Sequence, residues 1–353
     1  MTSLPPLETA DLDHVLAHTL PLWEKLRGER LFLTGGTGFF GCWLLETFVW
    51  ANERLKLGAR AVVLTRDPAA FRLKVPHVAN HASISLHQGD VRSFDFPDGD
   101  FSCVIHASAE SNAQIAAANP LLLFETHASG ARRVFDFALR AKAQAVLFTS
   151  SGAVYGKQPA DLSHIPESHA SGPDALAADP VKAANAGGIW CAELLGNLYA
   201  KQHALPLKIA RCFTLIGPYL QLNKQFALSC FLRDAFAGGP INVGGDGTAL
   251  RSYFYAADLA IWLWTILLQA KSGSAYNVGS EALLSISDLA REVARAAAPG
   301  AEIRLGKNPV PGQQPEIYAP DTRKAQIELG LQQTIDLPEA LRRTILWHRK
   351  APL

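Results

Sequence analysis

A surplus of charge of either sign is missing from this chain: its 353 residues carry 33 basic and 32 acidic side chains, a net charge of +1. That balance removes the electrostatic case for a nucleic-acid partner or an acidic membrane surface. Cysteine is scarce and scattered. Cys42, Cys103, Cys191, Cys212 and Cys230 have no metal-ligand spacing, and an odd count inside apolar segments fits reduced, buried thiols in a cytoplasmic protein. No apolar run is long enough to span a bilayer; the most apolar later stretch, 256–270, is short, contains Asp258 and is expected as a buried helix. The opening MTSLPPLETADLDHV lacks a basic region followed by an apolar one, so no secretory signal is expected. No His/Asp/Glu cluster has ligand spacing, which argues against a metal site, and Ser150–Ser151 lie outside a Gly-x-Ser-x-Gly elbow, which argues against a serine hydrolase. Internal repeats and low-complexity tracts are absent too. What remains, 48% hydrophobic and 18% charged, is the composition of a soluble globular protein with room for one large or two modest domains.

What is present centres on Leu31-Phe32-Leu33-Thr34-Gly35-Gly36-Thr37-Gly38-Phe39-Phe40-Gly41, an apolar run entering a glycine cluster, followed at once by an apolar helix-like segment from Cys42 to Trp50. Strand, tight turn and helix form the opening unit of a dinucleotide-binding fold. Gly35 can take the turn's unusual backbone angles, Gly38 lets the backbone approach a pyrophosphate, and Gly41 lets the helix pack close to the sheet. The helix N-terminus offers free N–H groups to phosphates; the alternative is a purely structural turn. Further strands are expected at 61–65, 84–87, 103–106 and 144–149, with helices at 39–52 and 120–141. This alternation predicts an α/β protein, a Rossmann-type doubly wound parallel sheet with right-handed crossovers.

Around that sheet, residues 9–26 place apolar side chains at helical spacing, so 1–29 read as an N-terminal helical extension docked for packing. Residues 156–180 read as loop, 184–203 as a long helix and 207–212 as a strand. Short strands at 240–243, 250–255, 275–278 and 302–305, with a helix at 336–348, predict a smaller C-terminal α/β substrate-binding lobe. The expected division is 30–215, with parts of 240–280, for the dinucleotide-binding domain and mostly 216–353 for the lobe.

Eight markers in order carry a family resemblance: TGGTGFFG at 34–41, Gly89-Asp90-Val91-Arg92, Val104-Ile105-His106, TSSGAVYG at 149–156, RCFTLIGP at 211–218, GGDGTALRSYFYAADLA at 244–260, Tyr276-Asn277-Val278-Gly279-Ser280, and Pro320-Asp321-Thr322 with Leu329-Gly330. Over 30–347 the chain resembles the extended short-chain dehydrogenase/reductases, in particular the nucleotide-sugar epimerases and dehydratases. The resemblance implies NAD(P) as cofactor, held by Gly35, Thr37, Gly38, Phe39, Phe40 and Gly41. It extends the cofactor contacts to Asp90 and Val91 and, after strand four, to Ala107 and Ser108. Where NAD-binding members place a carboxylate after strand two, this chain has Thr65-Arg66, and Arg66 favours the 2′-phosphate of NADP. It further implies a nucleotide-sugar-like ligand contacted by Thr214 and by Arg251, whose guanidinium suits paired phosphate oxygens, and a homodimer through the long helices. The bland alternatives are a turn cap for Asp90, a solvated loop charge for Arg66 and a surface ion pair for Arg251.

One departure decides how the chemistry is read. Catalysis in the resembled family rests on Tyr-x-x-x-Lys at the start of the long helix, with a Ser or Thr after strand five. Ser151 matches the latter. Anchoring the helix on Glu193 puts Asn185 at the tyrosine position and Ile189 at the lysine position, and no Tyr-x-x-x-Lys occurs elsewhere. Glu110-Ser111 resemble a dehydratase Glu-Ser, but Gly152 and Ala153 stand where dehydratases carry an acidic pair, which argues against dehydration. His127, where asparagine is usual, is either a polar contact to the cofactor or a packed helical histidine. Two readings follow: an enzyme acting at a hydroxyl or keto carbon with Ser151, Glu110, His127 and Asn185 as its atypical acid/base set, or a pseudoenzyme that kept the pocket and lost the chemistry.

Overall fold

A computed structural model describes residues 3–108, 117–222 and 226–351. Seven parallel strands form the main sheet: β1 (Arg30–Thr34), β2 (Arg60–Thr65), β3 (Ile84–Gln88), β4 (Cys103–His106), β5 (Ala145–Ser151), β6 (Leu207–Cys212) and, from late in the chain, β11 (Ala275–Val278). Their spatial order is β3-β2-β1-β4-β5-β6-β11. The central strands have apolar side chains on both faces because both faces are covered, whereas edge strand β3 turns Ser85 and His87 to one side. Leu31 and Leu33 enter one apolar layer, shared with α1 (Thr9–Thr19), α2 (Phe39–Leu55) and α8 (Ala256–Gln269). Phe32, between them, enters the opposite layer with α5 (Pro120–Arg140) and α6 (Pro180–His203).

The expected elements are present with small changes at their ends. The long helix starts at Pro180 because Asp179 caps it, accepting from the N–H groups of Val181 and Lys182 at 3.0 and 3.2 Å, and because proline is tolerated in a first turn. The stretch 250–255 divides into β9 (Leu250–Arg251) and β10 (Phe254–Tyr255), which pair in different small sheets. Three two-residue strands, β7 (Leu215–Ile216), β12 (Leu284–Ser285) and β14 (Ile317–Tyr318), have no pattern long enough to read in advance. β9 holds β12 antiparallel on one side and β14 parallel on the other.

In the N-terminal segment Leu12, Val15, Trp23 and Leu26 are buried and Leu20 is exposed, along α1 and the 3₁₀ turn Leu20–Leu26 that follows it. The segment also carries a buried charge. Asp11, 1% exposed, accepts from the Tyr255 hydroxyl at 2.7 Å and pairs with Arg343 of the last helix, α11 (Leu337–Lys350). No helix among the described residues is long and apolar enough to cross a membrane.

Candidate cofactor and substrate site

Strand order reverses between β1 and β4, and ligands of open α/β sheets bind outside the strand ends at such a point. A cavity of about 700 Å³ lies there. Its walls are Gly35, Thr37, Gly38, Phe39 and Phe40 after β1; Thr65, Arg66 and Asp67 after β2; Gly89, Asp90, Val91 and Arg92 after β3; and Ala107 and Ser108 after β4. All the cofactor candidates except Gly41 therefore line one space. Gly41 lies beneath it, where a Cβ would come within 2.3 Å of the Gly36 Cα, so its role is close packing.

The backbone here fits a pyrophosphate. Gly35 has φ +74°, and a Cβ on it would come 2.2 Å from the Ala107 carbonyl oxygen, so the turn needs glycine for both conformation and space. Gly38 is the N-cap of α2 and supplies no side-chain cap. The first N–H groups of α2 therefore remain for an anion, whereas Asp67, Asn119 and Asp179 cap the helices they precede. A side chain at Gly38 would project where the backbone must meet a phosphate, since only the Gly35 carbonyl oxygen, at 3.3 Å, lies near its Cβ position.

The wall after β2 and β3 carries two arginines, Arg66 and Arg92, beside two aspartates, Asp67 and Asp90. Asp90 accepts from Arg92 Nε at 2.8 Å and from the Arg92 backbone N–H at 2.9 Å, and Arg92 holds its carboxyl below the usual range, with the Arg66 charge adding. The carboxylate nearest to the end of β2, Asp67, is committed to the N–H of Ala70 at 2.9 Å as the cap of α3 (Pro68–Lys74). Lys74 closes the loop region by donating to the Thr37 carbonyl at 2.9 Å.

The described acid/base candidates, Ser151, His127 and Asn185, lie in other contacts, outside the residues lining this cavity. Glu193 sets their register: it ion-pairs with Arg211 at 2.6 Å, accepts from the Ser150 hydroxyl, and so ties α6 to β5 and β6. In that register Asn185 Oδ1 meets His127 Nε2 at 3.1 Å, bringing together two of the residues singled out above. Burial lowers the His127 pKa against the opposing Asn185 hydrogen bond, leaving a neutral imidazole at neutral pH. Ile189, 7% exposed, belongs to the apolar layer that also contains Phe32, Val154 and Tyr155. Ser151 Oγ, at the end of β5, accepts from the Ala153 N–H at 3.1 Å. Thr214, just past β6, accepts on its carbonyl from the Phe254 N–H at 3.0 Å. Arg251 pairs with Glu316 at 2.7 Å and donates to the Glu316 carbonyl. Glu110 lies outside the described residues.

The model of the NAD dependent epimerase/dehydratase family matches residues 31–279, more than half of the chain. The chain belongs to this family. Relatives of this family member include UDP-glucuronic acid decarboxylase 1 of Xenopus tropicalis, 27% identical over 93% of this chain and 74% of the relative. The dTDP-glucose 4,6-dehydratase of Streptomyces niveus is 25% identical over 91% of this chain and 93% of its own. Among solved structures, a dTDP-glucose 4,6-dehydratase of Streptomyces venezuelae with NAD bound superposes with a TM-score of 0.75 at 24% identity, covering 91% of this chain and 97% of that one. The UDP-glucose 4-epimerase of Thermotoga maritima gives 0.73 at 18% identity, covering 91% and 99%. These likenesses establish the Rossmann-type fold. Arg92, although it ends the quoted Gly-Asp-Val-Arg run, and Lys74 line this cavity without standing out in the sequence.

Proposed function

We propose that this family member binds NAD(P) in the cavity at the ends of β1 to β4 and acts on a nucleotide-linked sugar, by oxidoreduction or epimerisation at a hydroxyl or keto carbon. The observation that carries the reading is the uncapped start of α2 behind Gly35 and Gly38, opening on a dinucleotide-sized cavity. Bound there, a nicotinamide supplies a hydride acceptor and donor. The chain's part is to grip the pyrophosphate with the α2 N–H groups, to hold the adenosine end against Asp90 and Val91, and to meet the sugar near Ser151. NADP is favoured over NAD, since Arg66 and Arg92 line the wall after β2 and β3 and the nearby Asp67 carboxylate caps a helix. Arg251 and Thr214 receive the diphosphate of the sugar nucleotide, with Arg251 exchanging Glu316 for phosphate oxygens. Dehydration is the less favoured outcome, because Gly152 and Ala153 offer no acid or base.

A second reading, a cofactor- and ligand-binding pseudoenzyme, is favoured by one observation. The Tyr and Lys positions hold an amide, already bonded to His127, and a packed isoleucine. The deciding experiment is a panel of UDP- and dTDP-sugars with NAD or NADP, followed by cofactor absorbance and product mass, with calorimetry on wild type and Arg251→Ala. Turnover that is slow beside ordinary family members is expected, since a positioned acid/base contributes roughly 10²–10⁴-fold. Arg251→Ala should remove sugar-nucleotide binding. Binding without any turnover would establish the pseudoenzyme; no sugar-nucleotide binding at all would overturn the substrate class.

A further inference from the structure

The missing tyrosine leaves the enzyme reading without a phenol, yet a phenol stands at the end of β5. Tyr318, from the C-terminal lobe, reaches across to the Gly152 backbone: a Cβ on Gly152 would lie 2.6 Å from its hydroxyl and 2.7 Å from the Phe213 ring. Its hydroxyl thus lies beside the backbone of the residue that follows Ser151, near enough for the Ser151 side chain to act on its pKa. The ring packs on Phe213 with centroids 4.7 Å apart, and the Arg251 guanidinium lies 5.9 Å from its centroid.

This placement is held from several sides. Tyr318 is in register with Arg251 in the β14–β9 pair. The next residue, Ala319, donates its N–H to the buried Gln158 amide oxygen at 3.0 Å and accepts from the Ile165 N–H at 3.0 Å. Asp321 N–H in turn donates to the Ile165 carbonyl at 3.0 Å. The glycine at 152 thus has a steric reason: the volume a side chain would take there is the volume of the Tyr318 hydroxyl.

We infer that Tyr318, brought onto Ser151 by the C-terminal lobe, replaces the absent helix tyrosine as the proton-transfer partner for a sugar hydroxyl or keto oxygen. This rests on the enzyme reading of the site given above. In the oxidising direction a bound oxidised nicotinamide would supply the two-electron acceptor, taking as hydride the electron pair of the substrate C–H bond that breaks. The O–H electron pair becomes the second C–O bond, and the proton passes to Ser151 Oγ while the Ser151 proton passes to the Tyr318 phenolate. Reduction runs the same transfers backwards, with the phenol as acid.

Burial pushes the Tyr318 phenol up to about 12. The Ser151 hydrogen bond and Arg251 pull it down, while Cys212 and Tyr155 add to the rise. Phenolate is therefore scarce at neutral pH, so oxidation is slow there and accelerates about tenfold per pH unit on the alkaline side.

The test is single-turnover formation of reduced nicotinamide from a nucleotide sugar, measured against pH in wild type, Tyr318→Phe, Ser151→Ala and the double variant. Tyr318→Phe should slow the step roughly 10²–10⁴-fold, flatten its pH dependence and leave cofactor affinity unchanged. The double variant should be no worse than the worse single one, because the two hydroxyls act as one unit. Without cofactor, Ser151→Ala and Gly152→Ala should both alter the near-ultraviolet tyrosine circular dichroism that Tyr318→Phe removes. A Tyr318→Phe protein that turns over at the wild-type rate or faster overturns the inference and leaves the enzyme reading standing. Cofactor binding with no reduced nicotinamide from any sugar in wild type overturns both.

Discussion

At the scale of single residues, the proposed preference for NADP turns on Arg66 and Arg92. Both line the wall where the adenosine ribose of a bound dinucleotide would lie, and both bear on Asp90. A 2′-phosphate would meet positive charge there. Replacing Arg66 with alanine should weaken NADP about tenfold or more, the scale of a lost charge-assisted contact, while leaving NAD nearly unchanged. Fluorescence titration of the two cofactors measures this directly, and equal losses for both would show that Arg66 does not read the phosphate. Asp67 shows why position alone does not make a ribose ligand. It is the first carboxylate after β2, but its oxygen is used by the Ala70 N–H, and removing it would cost the start of α3 before it changed the pocket.

At the scale of elements, α6 presents two faces with different fates. Its inner face holds Gly188, Ile189, Ala192, Glu193 and Gly196, all buried. Gly196 lets α6 press on the sheet, since a Cβ there would come 2.4 Å from Leu207. Its outer face carries Trp190, Leu194 and Leu198, one helical turn apart and each more than two-fifths exposed, beside exposed Leu121 and Phe124 of the neighbouring α5. Large apolar side chains in one stripe on two packed helices are costly to leave in water. We expect the stripe to be covered by a second copy of this chain, giving a homodimer. Leu194→Glu should shift the sedimentation coefficient from dimer to monomer without loss of helical circular dichroism, and a wild type that sediments as a monomer would remove the idea. Glu193, in contrast, belongs to the fold: with Arg211, Ser150 and Tyr155 it forms one buried polar chain continuing to Asn277, which accepts from the Tyr155 hydroxyl at 2.8 Å. Removing one partner of a buried ion pair typically costs about 3–5 kcal/mol.

For the molecule as a whole, buried histidines set an acid limit. Burial lowers His106 to about 3 and His348 to about 4, and the Nε2 atoms of both have no hydrogen-bond partner among the described residues. Their folded values lie below the unfolded value of 6.5, so the unfolded chain takes up these protons first. The associated stability is complete above pH 6.5 and is lost as pH falls from there toward 4 for His348 and 3 for His106, at up to about 1.4 kcal/mol per pH unit for each. The carboxyls of Asp11 and Asp258, raised by burial, act in the opposite sense. The slope is therefore read by difference: denaturant unfolding of His348→Leu between pH 7 and 4 should show a shallower loss than wild type. Identical slopes would show that His348 is not neutral in the fold.

What the amino-acid order determined alone was local. The run 31–41 carries its strand, turn and helix in apolar pattern and glycine spacing, and the parallel sheet follows from short strands alternating with helices. The cofactor candidates came with it, because they fall at strand ends that a doubly wound sheet necessarily gathers at one crevice. The acid/base set was less legible. Asn185 meets His127 only because Glu193 fixes the rotation of α6 against β6, a contact between residues far apart in the chain. Arg251, read as a phosphate ligand, pairs with Glu316 through a two-strand junction too short to leave a pattern. Tyr318 is the extreme case: it follows Ser151 by more than 160 residues and reaches it because β14 adds to β9. Tertiary structure alone decides such meetings, since spacing records what neighbours in the chain can do and not which distant side chains a folded surface brings into contact.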